Sequence, residues 1–301
     1  MKRIVWSIDP FDTSTELKKG YHAVLERLVD TGIKWIDPIT VSRERDWGLS
    51  PSAATLKIAK QTLEKVCSQW LKEFENLHPS RCKILFEPNG SATRAVKEVI
   101  AFSSAKSADG ILVGTHARRG VARALLGSFT ESLVVLSKIP VLVLNPDSRI
   151  HREGPVVFCT DCGASPRTLA HAIATAKRLG TGLVFLTVLD ESRRLAEFAS
   201  QLAVVGAPMS VVAPPEQDLE RSKSWFESAL RAAKKEGVKA QCVSLNSTRG
   251  IAHHALEYLE SHPPACIVVS ARSGRFASTL LGSVTRQLIR GAPCPVWVVK
   301  G

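Results

Sequence analysis

From Gly114 to Ser132 the chain reads GTHARRGVARALLGSFTES, directly after the apolar run ILV. These residue types, in this order, suit an anion. Glycine lets backbone amides come close to a ligand and admits the φ values that a concave amide nest needs. Gly127 and Ser128 stand where a helix begins, and the free amides and positive dipole end of a helix start attract negative charge. Ser128 and Thr130 add hydroxyls. Arg118, Arg119 and Arg123 add charge, and a guanidinium can grip phosphate through two parallel bonds. Taken singly, Gly127-Ser128 is an ordinary capped helix start, Gly114 a strand-ending glycine and the arginines a solvated face. Their combination is what points to phosphate.

Other reactive residues are less organised. Cys159-Thr-Asp-Cys162 has CxxC spacing at a strand end, but no second CxxC or CxxH pair accompanies it for a zinc site. The inert reading of these thiols therefore comes first. His253 and His254 are adjacent on a helix, and neighbours in sequence do not share a helix face. His116 lies in the glycine loop and can face phosphate or water. No Walker A lysine motif and no G-x-S-x-G elbow occurs. The parts for holding a nucleotide are present without an evident base or nucleophile for using one, so any hydrolysis of ATP should be slow.

The elements that must position these residues repeat. LLGSFTESLVVLSKIPVLVL, Leu125 to Leu144, aligns without a gap with LLGSVTRQLIRGAPCPVWVV, Leu280 to Val299. The starts correspond too: RIVWSIDPFDTS matches PVVFCTDCGASP, with apolar runs ending at Asp9 and Asp161. Each copy then alternates apolar strand patterns with helical periodicity through five strands and four helices. Such alternation predicts parallel strands joined by right-handed crossovers, with helices on both faces. NPDSRIHREG, Asn145 to Gly154, reads as a polar linker. The expected fold is α/β, two doubly wound domains over residues 1–147 and 152–301, each a five-stranded parallel sheet.

The strand-ending aspartate, the order of elements and a last loop close to G-x2-G-x9-G-[S/T] before a helix and a P-V-x-V strand resemble the universal stress protein family. The resemblance covers both halves, as in a tandem universal stress protein. It implies strand order 3-2-1-4-5, with ligands at the switch point between strands 1 and 4. It also implies ATP, with Mg as an accompanying ion. By position, Gly114, Gly127, Ser128 and Thr130 would contact the phosphates, within the same loop as Ala117 and Arg118, while Asp9 and Val41 would line the adenosine end. Two departures stand out. Ala117 occupies the place of the second glycine, where a positive φ would cost alanine about 1 kcal/mol. In the second half Ser270 replaces the first glycine, and the loop to Gly282 is one residue shorter. There only Asp161, Val188, Gly282, Ser283 and Thr285 persist of the expected set. Family members pair through their fifth strands, so PVLVL and PVWVV could pair within one chain as a pseudo-dimer, with further dimerisation open.

Composition bounds the function. The formal net charge is +12, which attracts nucleotide, nucleic acid or acidic lipid without choosing among them. No RNA-binding or helix-turn-helix signature accompanies it, which ranks nucleic acid below adenine nucleotide. No apolar run reaches the ~18 residues of a membrane span, which speaks against a membrane role. Seven cysteines, several inside apolar runs, and no signal-peptide pattern fit reduced thiols in the cytoplasm. The leading expectation is a stress-response regulatory protein that binds ATP in its first half. The alternatives are a tandem member that acts through protein partners without nucleotide, a basic anion or nucleic-acid binder, and a slow ATPase.

Overall fold

The computed structural model describes residues 2–8, 15–43, 52–87, 91–115, 128–190, 216–271 and 281–301. The first half contributes β1 (Arg3–Ser7), α1 (Thr15–Asp30), β2 (Trp35–Arg43), α2 (Ala53–Leu71), β3 (His78–Pro79), β4 (Lys83–Glu87), α3 (Ala92–Ala105), β5 (Gly110–Gly114), α4 (Ser128–Leu136) and β6 (Val141–Leu144). The second contributes β7 (Val156–Cys159), α5 (Pro166–Leu179), β8 (Leu183–Asp190), α6 (Glu216–Lys235), β9 (Ala240–Ser247), α7 (Ile251–Ser261), β10 (Cys266–Ser270), α8 (Ser283–Gly291) and β11 (Val296–Val299). Serines at the expected helix starts act as caps. Ser52, Ser91 and Ser165 accept the amides of Thr55, Arg94 and Thr168, each satisfying one donor that the helix cannot.

Each half has the doubly wound order. Strands β2, β1, β5 and β6 are parallel neighbours in the first half, with β3 and β4 outside β2. In the second half the order is β9-β8-β7-β10-β11. Side chains alternate between two cores, as the pleat requires. Ile4, Trp6, Leu112 and Leu142 face a core shared with α1, α2, α5 and α6. Val5, Ile111, Val113 and Val141 face one shared with α3, α4, α7 and α8. Both cores run through both halves.

One departure from the expected pattern has a local cause. The third strand of the first half is split into β3 and β4. The break falls opposite Asp37-Pro38, because His78 and Pro79 pair with Trp35 and Ile36, and Lys83 resumes the pairing at Ile39. Ser80 donates its amide to the Ile36 carbonyl at 2.9 Å, so the alternate residues 36 and 38 turn their backbone groups toward this strand. Proline has no N–H to offer there. Asp37 is fully buried and holds Arg3 at 3.1 Å and Lys106 at 3.8 Å.

The halves meet along β6 and β11, which pair antiparallel: Val141 with Val298, Leu142 with Trp297, Val143 with Val296. These are equivalent positions of the repeat, so a pseudo-twofold axis passes through the Leu142-Trp297 pair. The pair is unequal in size. Gly110 makes room for the larger partner, since a Cβ there would lie 2.9 Å from the Trp297 ring. The segment read as a linker is anchored: Asn145 is buried and donates from Nδ2 to the Ala292 carbonyl at 2.8 Å, and the Arg149 amide donates to the Pro293 carbonyl at 2.7 Å.

Charge is unequal across the same axis. Glu131 of α4 and Arg286 of α8 hold the same position of the LLGS repeat and form an ion pair across the halves. Two identical halves would bring like charges together there. We expect Glu131→Arg to destabilise the chain by about 1–2 kcal/mol, by losing the pair and opposing the α4 dipole. Glu131→Arg combined with Arg286→Glu should recover most of the loss in chemical denaturation. A simple sum of the two single effects would show that the pair does not couple the halves.

Candidate functional site

The reversal of strand order lies between β1 and β5, as expected for an open α/β sheet. At the carboxyl end of β1, the Ile8 amide donates to the Ile39 carbonyl at 2.9 Å. At the end of β5, the Thr115 amide donates to the Leu144 carbonyl at 2.7 Å. The helix α4 leads back to β6, and its first residue, Ser128, is exposed. The first amides of such a helix have no partner within it. The carboxyl end of β5, one side of the reversal, therefore carries helix-start donors and an exposed hydroxyl.

Gly114 occupies the end of β5, and the structure supplies a packing reason for it. A Cβ at this position would collide with the Tyr21 hydroxyl and with Leu17 of α1. The glycine thus lets α1 lie close against the strand end, whether or not its amide also meets a ligand. The sequence reading missed Leu17 and Tyr21; the helical pattern of α1 shows that they are buried but not which strand they cover.

Thr130 is buried, and its Oγ1 donates to the Gly114 carbonyl at 3.4 Å. Thr285, its counterpart, is also buried and donates to the Ser270 carbonyl at 3.2 Å. In both halves the threonine of the LLGS-x-T motif therefore ties the start of the last helix to the end of the fourth strand. Its single hydroxyl hydrogen is directed at the protein, so Thr130 acts by positioning α4.

The remaining expected residues fall into three groups. Val41 is half-buried on β2 and packs against the core beneath α3 and α4. Val188, its counterpart, is buried on β8. Asp161 is exposed, and its Oδ1 accepts the Gly163 amide at 3.0 Å, closing a turn after β7. Gly282 is the N-cap of α8 with no side-chain capping bond, and Ser283 beside it is exposed. Asp9, Ala117, Arg118 and Gly127 lie outside the described residues, as do Arg119, Arg123 and His116.

The CxxC pair is chemically quiet. Burial pushes the Cys159 thiol up to about 12, the opposite of an activated thiolate. Cys162 is buried at φ 59°, with its amide donating to the Thr160 hydroxyl at 3.0 Å. Among the described residues no group of three or more His, Cys, Asp or Glu side chains is arranged to hold a metal ion. His253 and His254 both reach Glu257, at 3.1 and 3.9 Å, and His254 also meets the Ser247 hydroxyl at 2.8 Å. Among the described residues no helix is long and apolar enough to cross a membrane.

A parallel sheet with its crevice at the β1/β5 reversal, built twice and joined through the fifth strands, defines a tandem Rossmann-like protein. Its family is the universal stress protein family, which matches residues 90–145 and 154–300 and to which the chain belongs. A universal stress protein of Mycolicibacterium smegmatis is 29% identical over 218 residues, covering 69% of this chain and 68% of that protein. Among solved structures, a universal stress protein from Archaeoglobus fulgidus superposes with a TM-score of 0.62 at 19% identity, over 99% of this chain and 96% of the other. A protein of unknown function from Pseudomonas aeruginosa PAO1 superposes with a TM-score of 0.60 at 14% identity, over 100% of this chain and 92% of its own. At these identities the structural matches bear on fold alone.

Proposed function

We propose that the chain is a stress-response regulatory protein that binds ATP in its first half, with the two domains spanning 1–147 and 152–301. The observation that carries this reading is the exposed start of α4 at Ser128, tied by Thr130 to the end of β5 beside the strand reversal. The phosphates would meet the amides of Gly114, Ala117, Gly127 and Ser128, the Ser128 hydroxyl and the Arg118 guanidinium. Val41 would flank the adenosine and Asp9 would accept hydrogen bonds from it. A bound Mg ion would neutralise phosphate charge. No residue is assigned to hydrolysis. The protein acts by holding the nucleotide and presenting the loaded surface to a protein partner.

The second half retains part of the set: Asp161, Val188, Gly282, Ser283 and Thr285. Its helix start is uncapped, but Ser270 stands where the first half has Gly114, and the carboxylate of Asp161 is already engaged in a turn. This half is a weaker site for nucleotide. The test is to purify the chain without added nucleotide, denature it and identify any released small molecule. Adenine nucleotide released from the wild type and absent from Gly127→Asp is the expected outcome, because an aspartate there sets like charge against phosphate. Equal release from both proteins would move the site to the second half. No release, with no ATP binding by calorimetry, would favour action through protein contacts alone.

A further inference from the structure

The first half carries two thiols that the proposed nucleotide site does not use. Cys67 lies on α2, whose buried face is the four-residue stripe Ala59, Leu63, Cys67 and Leu71. Cys82 stands just before β4, in the short connection where the third strand is interrupted. Helix α2 packs against β4, and both residues are free thiols in the core that α1 and α2 cover. Their side chains meet in a hydrogen bond between the sulfur atoms.

The two sulfurs are unequal. Cys67 is 3% exposed and Cys82 9%, so Cys82 is the more accessible to a small reagent. The hydrogen bond with Cys82, and then burial, hold the Cys67 thiol well above its usual range, so Cys67 keeps its proton. The same bond pulls the Cys82 thiol down, and the Lys60 ammonium adds to this against burial and the Glu64 carboxylate. Cys82 is therefore the sulfur that ionises, with Cys67 as the donor beside it, and the thiolate is the nucleophilic form. Cys159, Cys242 and Cys266 differ: burial pushes their thiols up, to about 12, 11 and 12.

We infer that Cys67 and Cys82 are a peroxide-responsive pair that closes to a reversible disulfide between α2 and the start of β4. The Cys82 thiolate attacks one oxygen of hydrogen peroxide. The O–O bond breaks, and the departing hydroxide takes up the Cys82 proton as water, leaving a sulfenic acid on Cys82. The Cys67 sulfur gives up its proton and attacks the Cys82 sulfur. The S–S bond forms, the S–O bond breaks and a second water leaves. The thiols together lose two electrons, which the peroxide accepts. Closure brings the sulfurs from contact to a bond of about 2 Å, and residues 80–82, which belong to neither β3 nor β4, can supply the movement.

The test treats the folded full chain with hydrogen peroxide, blocks the remaining thiols by alkylation and digests without reductant. A pair of peptides joined through Cys67 and Cys82 is expected, lacking two hydrogens and separated by dithiothreitol. In Cys67→Ser, dimedone should trap a sulfenic acid on Cys82. In Cys82→Ser, Cys67 should stay alkylatable at the same peroxide concentration. Cys67 and Cys82 both left alkylatable in the wild type by excess peroxide would overturn the inference. So would peptides that join Cys82 to a different cysteine, a Cys67–Cys82 bond formed only after the chain is unfolded, or dimedone trapping at Cys67 in Cys82→Ser that outpaces trapping at Cys82 in Cys67→Ser. The wild-type peptide map needs neither variant, so a serine variant that fails to fold leaves the inference open to refutation.

Discussion

Replacing Trp297 by alanine is expected to lower the stability of the chain by about 3–5 kcal/mol, the range for removing a buried aromatic side chain. Trp297 is 4% exposed and sits on the pseudo-twofold axis opposite Leu142. Its ring lies over Gly110 of the first half and against His171 of α5, with ring centroids 5.0 Å apart. One truncation therefore opens a cavity in the core that both halves share. Chemical denaturation followed by circular dichroism reads the effect. A loss below about 1 kcal/mol would mean that the junction collapses around the missing ring and that the halves are stable without it.

The second large effect is in acid. His171 has a buried Nε2 with no hydrogen-bond partner. Burial lowers its pKa from 6.5 to about 4, and the positive charges of Arg178 and Arg167 push the same way. The folded chain thus binds this proton less readily than the unfolded chain. Between those two pKa values the unfolded state holds more protons, so stability rises with pH. The contribution is complete above about pH 6.5 and disappears as the pH falls toward 4. Its size is up to about 3 kcal/mol. His171→Leu should flatten this part of the stability profile. A variant with the same slope between pH 4 and 6.5 as the wild type would show that His171 is solvated in the folded protein.

Much of this architecture can be read from the sequence, because the repeat carries it. The aligned LLGS segments give two copies, the apolar runs give the strands, and the strand-to-helix alternation gives the parallel sheet. The pairing of PVLVL with PVWVV follows from the family resemblance. What the sequence hides depends on contacts between distant segments. Pro38 is visible in the sequence, yet its consequence, a third strand broken into β3 and β4, depends on which neighbour residue 38 faces. Glu131 and Arg286 align in the repeat, and their opposite charges were a readable signal of contact across the axis.

The candidate site divides in the same way. Gly114 and Thr130 stand out as motif residues, but their observed partners come from elsewhere in the chain. Gly114 accommodates Leu17 and Tyr21 of α1, and Thr130 fastens α4 to β5. A glycine that permits close packing and a glycine that permits a phosphate to approach look identical in sequence. Side chains at the junction of the halves were hidden for another reason. Arg27 and Arg178 belong to different copies, occupy different repeat positions and share a surface only after β6 meets β11.

The central claim is that the first half holds ATP at the start of α4. Its most direct test is calorimetric titration of ATP with Mg into the nucleotide-free chain, compared with Gly127→Asp and Gly282→Asp. The account predicts saturable binding at one site, weakened by about tenfold or more in Gly127→Asp and little changed in Gly282→Asp. Absence of saturable binding at about millimolar ATP, or loss of binding only in Gly282→Asp, would contradict it.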